Sequence, residues 1–136
     1  MPIGWGIEVM MRPVRVLLVD DDEGFAASLA ATLEGDARVE VVASASDGLE
    51  AVERCADVQP DVVAMDIHMP RMDGVEATRR IREEQGSTAV ILISGSMFTD
   101  ARDLAVEAGA AGYLTKAECA RRLLPAILEA AEADNT

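Results

Sequence analysis

The chain has 136 residues, enough for one compact domain with a single core and too few for a second domain of ordinary size. Half of it is hydrophobic, mostly Ala, Val, Leu and Ile, and 25 acidic against 12 basic side chains give a formal charge of −13. Nucleic-acid binding draws on clustered Lys and Arg, so direct contact with DNA is not expected; an acidic surface suits basic or amphipathic protein partners, metal ions, or plain solubility.

Met1 to Pro13 contains Trp5, Ile7 and Val9 without the charged-then-apolar layout of a signal peptide. Residues 1–13 are read as a loose extension ahead of a domain spanning residues 14–133, with no output domain in the chain. No apolar run approaches the ~20 residues of a membrane span. Val14 to Val19 is aliphatic apart from Arg15 and lacks polar alternation, the pattern of a strand covered on both faces. It ends in Asp20-Asp21-Asp22. Phe25, Leu29 and Leu33 then repeat at helical spacing up to Gly35, and Val39 to Ala43 is a weaker strand. Leu49, Val52 and Cys55 form a helical stripe after the cap Asp47.

Asp61 to Met65 is a second strong strand, ending at Asp66. Val75, Thr78 and Ile81 mark a helix after Gly74, with Gly86 near its end. Ala89 to Ile93 is a third strong strand, running into Ser94-Gly95. Leu104 and Ala108 fit a short helix opening near Thr99 and ending at Gly109. Gly112 to Leu114 completes the strands and leads into Thr115-Lys116. Leu123, Leu124, Ile127, Leu128 and Ala131 form the stripe of a last helix. Cys55 and Cys119 fit neither a C-x-x-C nor a zinc spacing and are read as reduced thiols of a cytoplasmic protein.

Strand and helix alternate five times. Parallel strands joined by right-handed helical crossovers give a doubly wound α/β sandwich. Function in such sheets sits at the carboxyl ends of the strands, where strand order reverses. Asp20 to Asp22, Asp66, Ser94-Gly95 and Lys116 all fall at that edge. Two carboxylates ~5 Å apart repel by roughly 3 kcal/mol at an effective dielectric near 20, so several in one pocket call for a cation or for protonation. Carboxylates are hard oxygen ligands suited to Mg2+, and Asp66 beside such an ion can act as a nucleophile toward phosphorus. The ion and Lys116 would offset charge on an incoming phosphoryl group, and Ser94 could donate a hydrogen bond to it. The structural alternative for Asp20 to Asp22 is helix capping, and for a lone strand-end Asp, Ser or Lys a turn.

Four segments resemble the response-regulator receiver domains of two-component signalling. They are Val16-Leu-Leu-Val-Asp-Asp-Asp22, Met65-Asp-Ile-His-Met-Pro-Arg-Met-Asp-Gly74, Val90-Ile-Leu-Ile-Ser-Gly95 and Gly109-Ala-Ala-Gly-Tyr-Leu-Thr-Lys116. The resemblance runs from about Val14 to Ala131. It implies a flavodoxin-like (βα)5 sandwich with a five-stranded parallel sheet in the order 2-1-3-4-5. It implies that Asp66 accepts a phosphoryl group from a phosphohistidine, on a sensor histidine kinase or a phosphotransfer protein. Mg2+, or Mn2+ in its place, would be bound by Asp20, Asp21, Asp66 and the backbone carbonyl of His68, with Asp20 acting mainly through water and Asp22 starting the first helix.

Lys116, Ser94 and Gly95 would meet the phosphoryl group, and Ser94 and Tyr113 would switch. The fourth helix, fifth strand and fifth helix would form the face that dimerises or binds a downstream protein. Such a domain is not an enzyme beyond its own phosphorylation and dephosphorylation. The His68 ring is expected to face solvent. Ala117 stands where many members have Pro, and Ser94 where Thr is commoner. A phosphatase of the haloacid-dehalogenase kind would need a D-x-D-x-T pattern after the first strand, where this chain has Asp20-Asp-Asp-Glu-Gly. A phosphorylation-independent interaction module is the other alternative.

Overall fold

The computed structural model describes residues 12–95 and 99–134. The aliphatic runs form strands β1 (Val14–Val19), β2 (Val39–Ala45), β3 (Val62–Asp66), β4 (Ala89–Ser94) and β5 (Gly112–Thr115). The stripes between them form helices α1 (Glu23–Glu34), α2 (Gly48–Val58), α3 (Gly74–Glu84), α4 (Thr99–Ala108) and α5 (Cys119–Asp134), the last entered through a single 3-10 turn, Lys116–Glu118. The expected extension over residues 1–13 lies, except for Arg12 and Pro13, outside the described residues.

The strands form one parallel sheet in the order β2-β1-β3-β4-β5, as expected. Alternate side chains on a strand point to opposite faces, and here both faces are covered. Val16, Leu18, Val62, Ala64, Ile91 and Ile93 pack with Leu29 and Leu33 of α1 and Leu123 and Ile127 of α5. Leu17, Val19, Val63, Met65, Val90 and Leu92 pack against α2, α3 and α4 through Ala51, Cys55, Ala77, Ile81 and Ala105. This two-sided burial is why β1, β3 and β4 read as nearly continuous aliphatic runs. Strand β2 reads weakly because it is an edge, with exposed and half-buried residues between Val39 and Ala45.

Two helices match expectation only in part. In α2, Cys55 is buried and Val52 packs on the core as expected, but Leu49 is exposed and Gly48 and Ala51 are buried in its place. Leu104 is likewise exposed, while Ala105 and Ala108 face the core. Helix α3 buries Val75, Thr78 and Ile81 as expected. At the helix ends, Gly35 follows α1 and Gly109 (φ 95°) follows α4 as expected, α3 closes on Gln85 one residue before Gly86, and α2 closes on Gln59 in the left-handed region (φ 47°). Cys55 and Cys119 are free and buried, and burial pushes their thiols up to about 12 and about 11. No described helix is long and apolar enough to cross a membrane.

Candidate functional site

The acidic triplet divides by direction. Asp20 continues the line of β1, its N–H donating to the Ala45 carbonyl at 3.1 Å, and its side chain is buried. Asp21 is exposed. Asp22 is the N-cap of α1, its Oδ1 accepting the Phe25 N–H at 3.1 Å, while its own N–H donates to Asp20 Oδ1 at 2.8 Å. Capping and site-building are thus done by different members of one triplet. Asp66 ends β3, the neighbour of β1, and is also buried. One carboxylate oxygen each from Asp20, Asp21 and Asp66 lie within 4.8 Å of one another.

Lys116 reaches the same place from the end of β5. Its Nζ is 3.5 Å from Asp20 Oδ2 and 3.5 Å from Asp66 Oδ2. A capping box holds the turn that carries it: the Thr115 N–H donates to Glu118 Oε1 at 2.9 Å and the Glu118 N–H to Thr115 Oγ1 at 3.3 Å. Burial raises the Asp20 pKa, and the nearby Asp66 charge adds to it against the Asp22 N–H and Lys116. For Lys116, burial works against the charge, but Asp66 and Asp20 outweigh it and raise the pKa. Three carboxylates against one ammonium leave two negative charges in a pocket of hard oxygen donors. That charge and donor set fit a divalent, oxygen-seeking cation such as Mg2+.

The loop after β3 is tightly braced. The Gly74 N–H donates to the Ile67 carbonyl at 2.7 Å, and a Cβ on Gly74 would strike the Asp66 carbonyl oxygen. Farther round, Arg71 adopts φ 67° and its guanidinium donates to Asp47 Oδ2 at 2.9 and 2.6 Å. Asp47 is the N-cap of α2, and the next residue, Gly48, donates its N–H to the Met72 carbonyl at 3.0 Å. A Cβ on Gly48 would collide with that carbonyl. The loop is therefore pinned to the start of α2. Within it, the His68 side chain is exposed, and the backbone N–H of His68 donates to Asp66 Oδ1 at 3.2 Å.

Ser94 is fully buried at the end of β4, in register with Thr115 across the strand pair. Gly95 is exposed, with open space where a Cβ would stand. Tyr113 is half-buried on β5, with the Arg102 guanidinium 5.6 Å from its ring centroid. Three participants were not foreseen from sequence. The Phe25 ring lies 4.6 Å from Lys116 Nζ, Arg71 braces Asp47, and Glu118 closes the turn at Lys116. Only Glu118 left a readable signal, the T-x-x-E spacing of a capping box.

Residues 16–128 match the family described as response regulator receiver domain. The transcriptional regulatory protein LiaR of Bacillus subtilis is 39% identical over 121 residues, which are 89% of this chain and 57% of LiaR. The chemotaxis protein CheY of Listeria monocytogenes is 38% identical over 120 residues, 85% of this chain and 98% of CheY. Among solved structures, the signal receiver domain of the response regulator NarL from Mycobacterium tuberculosis superposes with a TM-score of 0.85 at 33% identity, covering 89% of this chain and 98% of that one. The chain thus spans little more than half of LiaR and nearly all of CheY.

Proposed function

Because this chain belongs to the response regulator receiver domain family of two-component systems, we propose that Asp66 is its phosphate-accepting residue. One observation carries the reading: two strand ends bring Asp20, Asp21 and Asp66 within 4.8 Å of one another, with the Lys116 ammonium 3.5 Å from two of them. In the proposed reaction an Asp66 carboxylate oxygen forms a bond to phosphorus as the bond from phosphorus to the donor imidazole nitrogen breaks. The leaving imidazole carries its proton away with it.

Asp20, Asp21, Asp66 and the His68 carbonyl would hold Mg2+, or Mn2+ in its place, and when bound the ion supplies positive charge against the phosphoryl oxygens. Lys116 offsets the remaining charge. The Ser94 hydroxyl donates to a phosphoryl oxygen, and Gly95 leaves room beside it. Ser94 and Tyr113 then shift an existing equilibrium of the face made by α4, β5 and α5. Leu104 and Val106, exposed at 43% and 69% on α4, support that face as a place for a downstream protein or a second copy of the chain. In this reading the domain, residues 14–133, works in the cytoplasm with a sensor histidine kinase or phosphotransfer protein and turns over only its own phosphate.

The test is intact-mass spectrometry after incubation with acetyl phosphate, with and without Mg2+, on wild type and Asp66→Asn. One added phosphate that needs both Mg2+ and Asp66 is expected. Stable uptake by Asp66→Asn overturns the assignment.

A further inference from the structure

The aromatic ring beside Lys116 has no part in the chemistry above, yet its placement is specific. The Lys116 ammonium is 4.6 Å from the centroid of the Phe25 ring, within the ~6 Å over which a ring face attracts a cation. Its distances to Asp20 and Asp66, 3.5 Å each, are longer than the ~2.7–2.9 Å of a strong charge-assisted hydrogen bond. The ammonium is thus shared among two carboxylates and a ring rather than bonded to one carboxylate. Phe25 is held firmly. Its N–H is tied to the Asp22 cap, and its half-buried side chain packs on the core between α1 and α5.

A divalent ion among Asp20, Asp21 and Asp66 changes this balance. It takes up the same carboxylates and repels the ammonium. Among the described residues, the ring face gives the Lys116 site an attraction that does not depend on those carboxylates. We propose that Phe25 is a positioning residue: its ring keeps the Lys116 ammonium over the acidic cluster when the metal site is filled, so that Lys116 is already in place when a phosphoryl group arrives. This rests on the phosphoacceptor reading of Asp66 for its purpose, but not for its test.

The first measurement is the NMR signal of the Lys116 ε-methylene, assigned with Lys116→Arg, in wild type without metal and with saturating Mg2+ alone. Protons over a ring face are shifted upfield, and that shift is expected to persist with Mg2+. Its collapse to the position of a solvent-exposed lysine overturns the proposal. The second is the rate of phosphorylation by acetyl phosphate at saturating Mg2+. Phe25→Leu, which keeps an apolar side chain but removes the ring, is expected to slow the reaction by about 2- to 5-fold, with Phe25→Tyr close to wild type and Mg2+ affinity unchanged in both. An unchanged rate in Phe25→Leu, or equal losses in Leu and Tyr, also overturns it. If wild type takes up no phosphate, the reading of Asp66 fails, and the methylene signal still decides the role of Phe25.

Discussion

At the residue scale, the site is built around a conflict that the sequence announces and the geometry localises. Asp20 is buried beside Asp66, and that burial makes its charge unfavourable. Its folded pKa is raised, so the stability it contributes is present below the ordinary Asp value and is lost as pH rises through the folded value. Without metal, burial and the Asp66 charge disfavour the ionised form of Asp20, and Lys116 offsets only part of this. Asp20→Asn should therefore raise stability in metal-free buffer at pH 7, read as a higher urea midpoint, and the gain should vanish when Mg2+ is added to both proteins. A destabilised Asp20→Asn in metal-free buffer would contradict this. The triplet was legible because the aliphatic run stops at Val19, whereas Asp22 as helix start came from the family resemblance. Phe25 was legible only as part of a helical stripe. Its contact with Lys116 depends on where α1 sits against the turn after β5, which no local pattern encodes.

At the element scale, three helices start at the same edge of the sheet with an Asp cap: Asp22, Asp47 and Asp73 each accept the N–H of the residue three places on. Asp47 does more, because Arg71 from the loop after β3 donates to it twice. Asp47→Ala should cost about 1–3 kcal/mol at pH 7 through loss of the cap and the brace. The N–H of Glu50, with help from Arg71, lowers the Asp47 pKa. Its contribution is therefore full above the ordinary Asp value and lost as pH falls through the folded value. The difference between wild type and Asp47→Ala, measured by urea unfolding, should shrink below about pH 4; a difference that stays constant to pH 2 would rule out the ionised cap as its source.

The cap Asp47 could be read from sequence, but its partner could not, since Arg71 reaches it through a left-handed backbone that non-glycine residues seldom adopt. The misplaced stripe of α2 has the same origin. Close approach of Gly48 to the Met72 carbonyl turns small residues inward and Leu49 outward, whereas hydrophobic periodicity favours the larger side chain. In α4 too, Ala105 and not the larger Leu104 faces the sheet.

At the scale of the whole molecule, the doubly wound sheet was legible because strands covered on both faces must be aliphatic throughout, whereas the strand order came from family resemblance. Given the surplus negative charge of the site, a metal ion bound there would stabilise the entire fold. Mg2+ at ten times its dissociation constant should add about 1.4 kcal/mol, seen as a rise of roughly 3–6 °C in the unfolding temperature, and Ca2+-free, Mg2+-free buffer should reverse it. An unfolding temperature indifferent to Mg2+ would mean that the cluster does not bind the ion in the folded state. The strand order β2-β1-β3-β4-β5 has a further consequence for how the chain is made. Once β1 and β2 have paired, β3 joins the open side of β1, β4 joins β3, and β5 joins β4. No strand ever inserts between two others, so a chain emerging from its amino end can lay down the sheet by accretion, with a single growing edge exposed at a time. On that route Asp20 and Asp66 meet as soon as β3 docks, while Lys116 arrives with β5: the anionic pocket forms first, and its counter-charge joins only when the fifth strand docks.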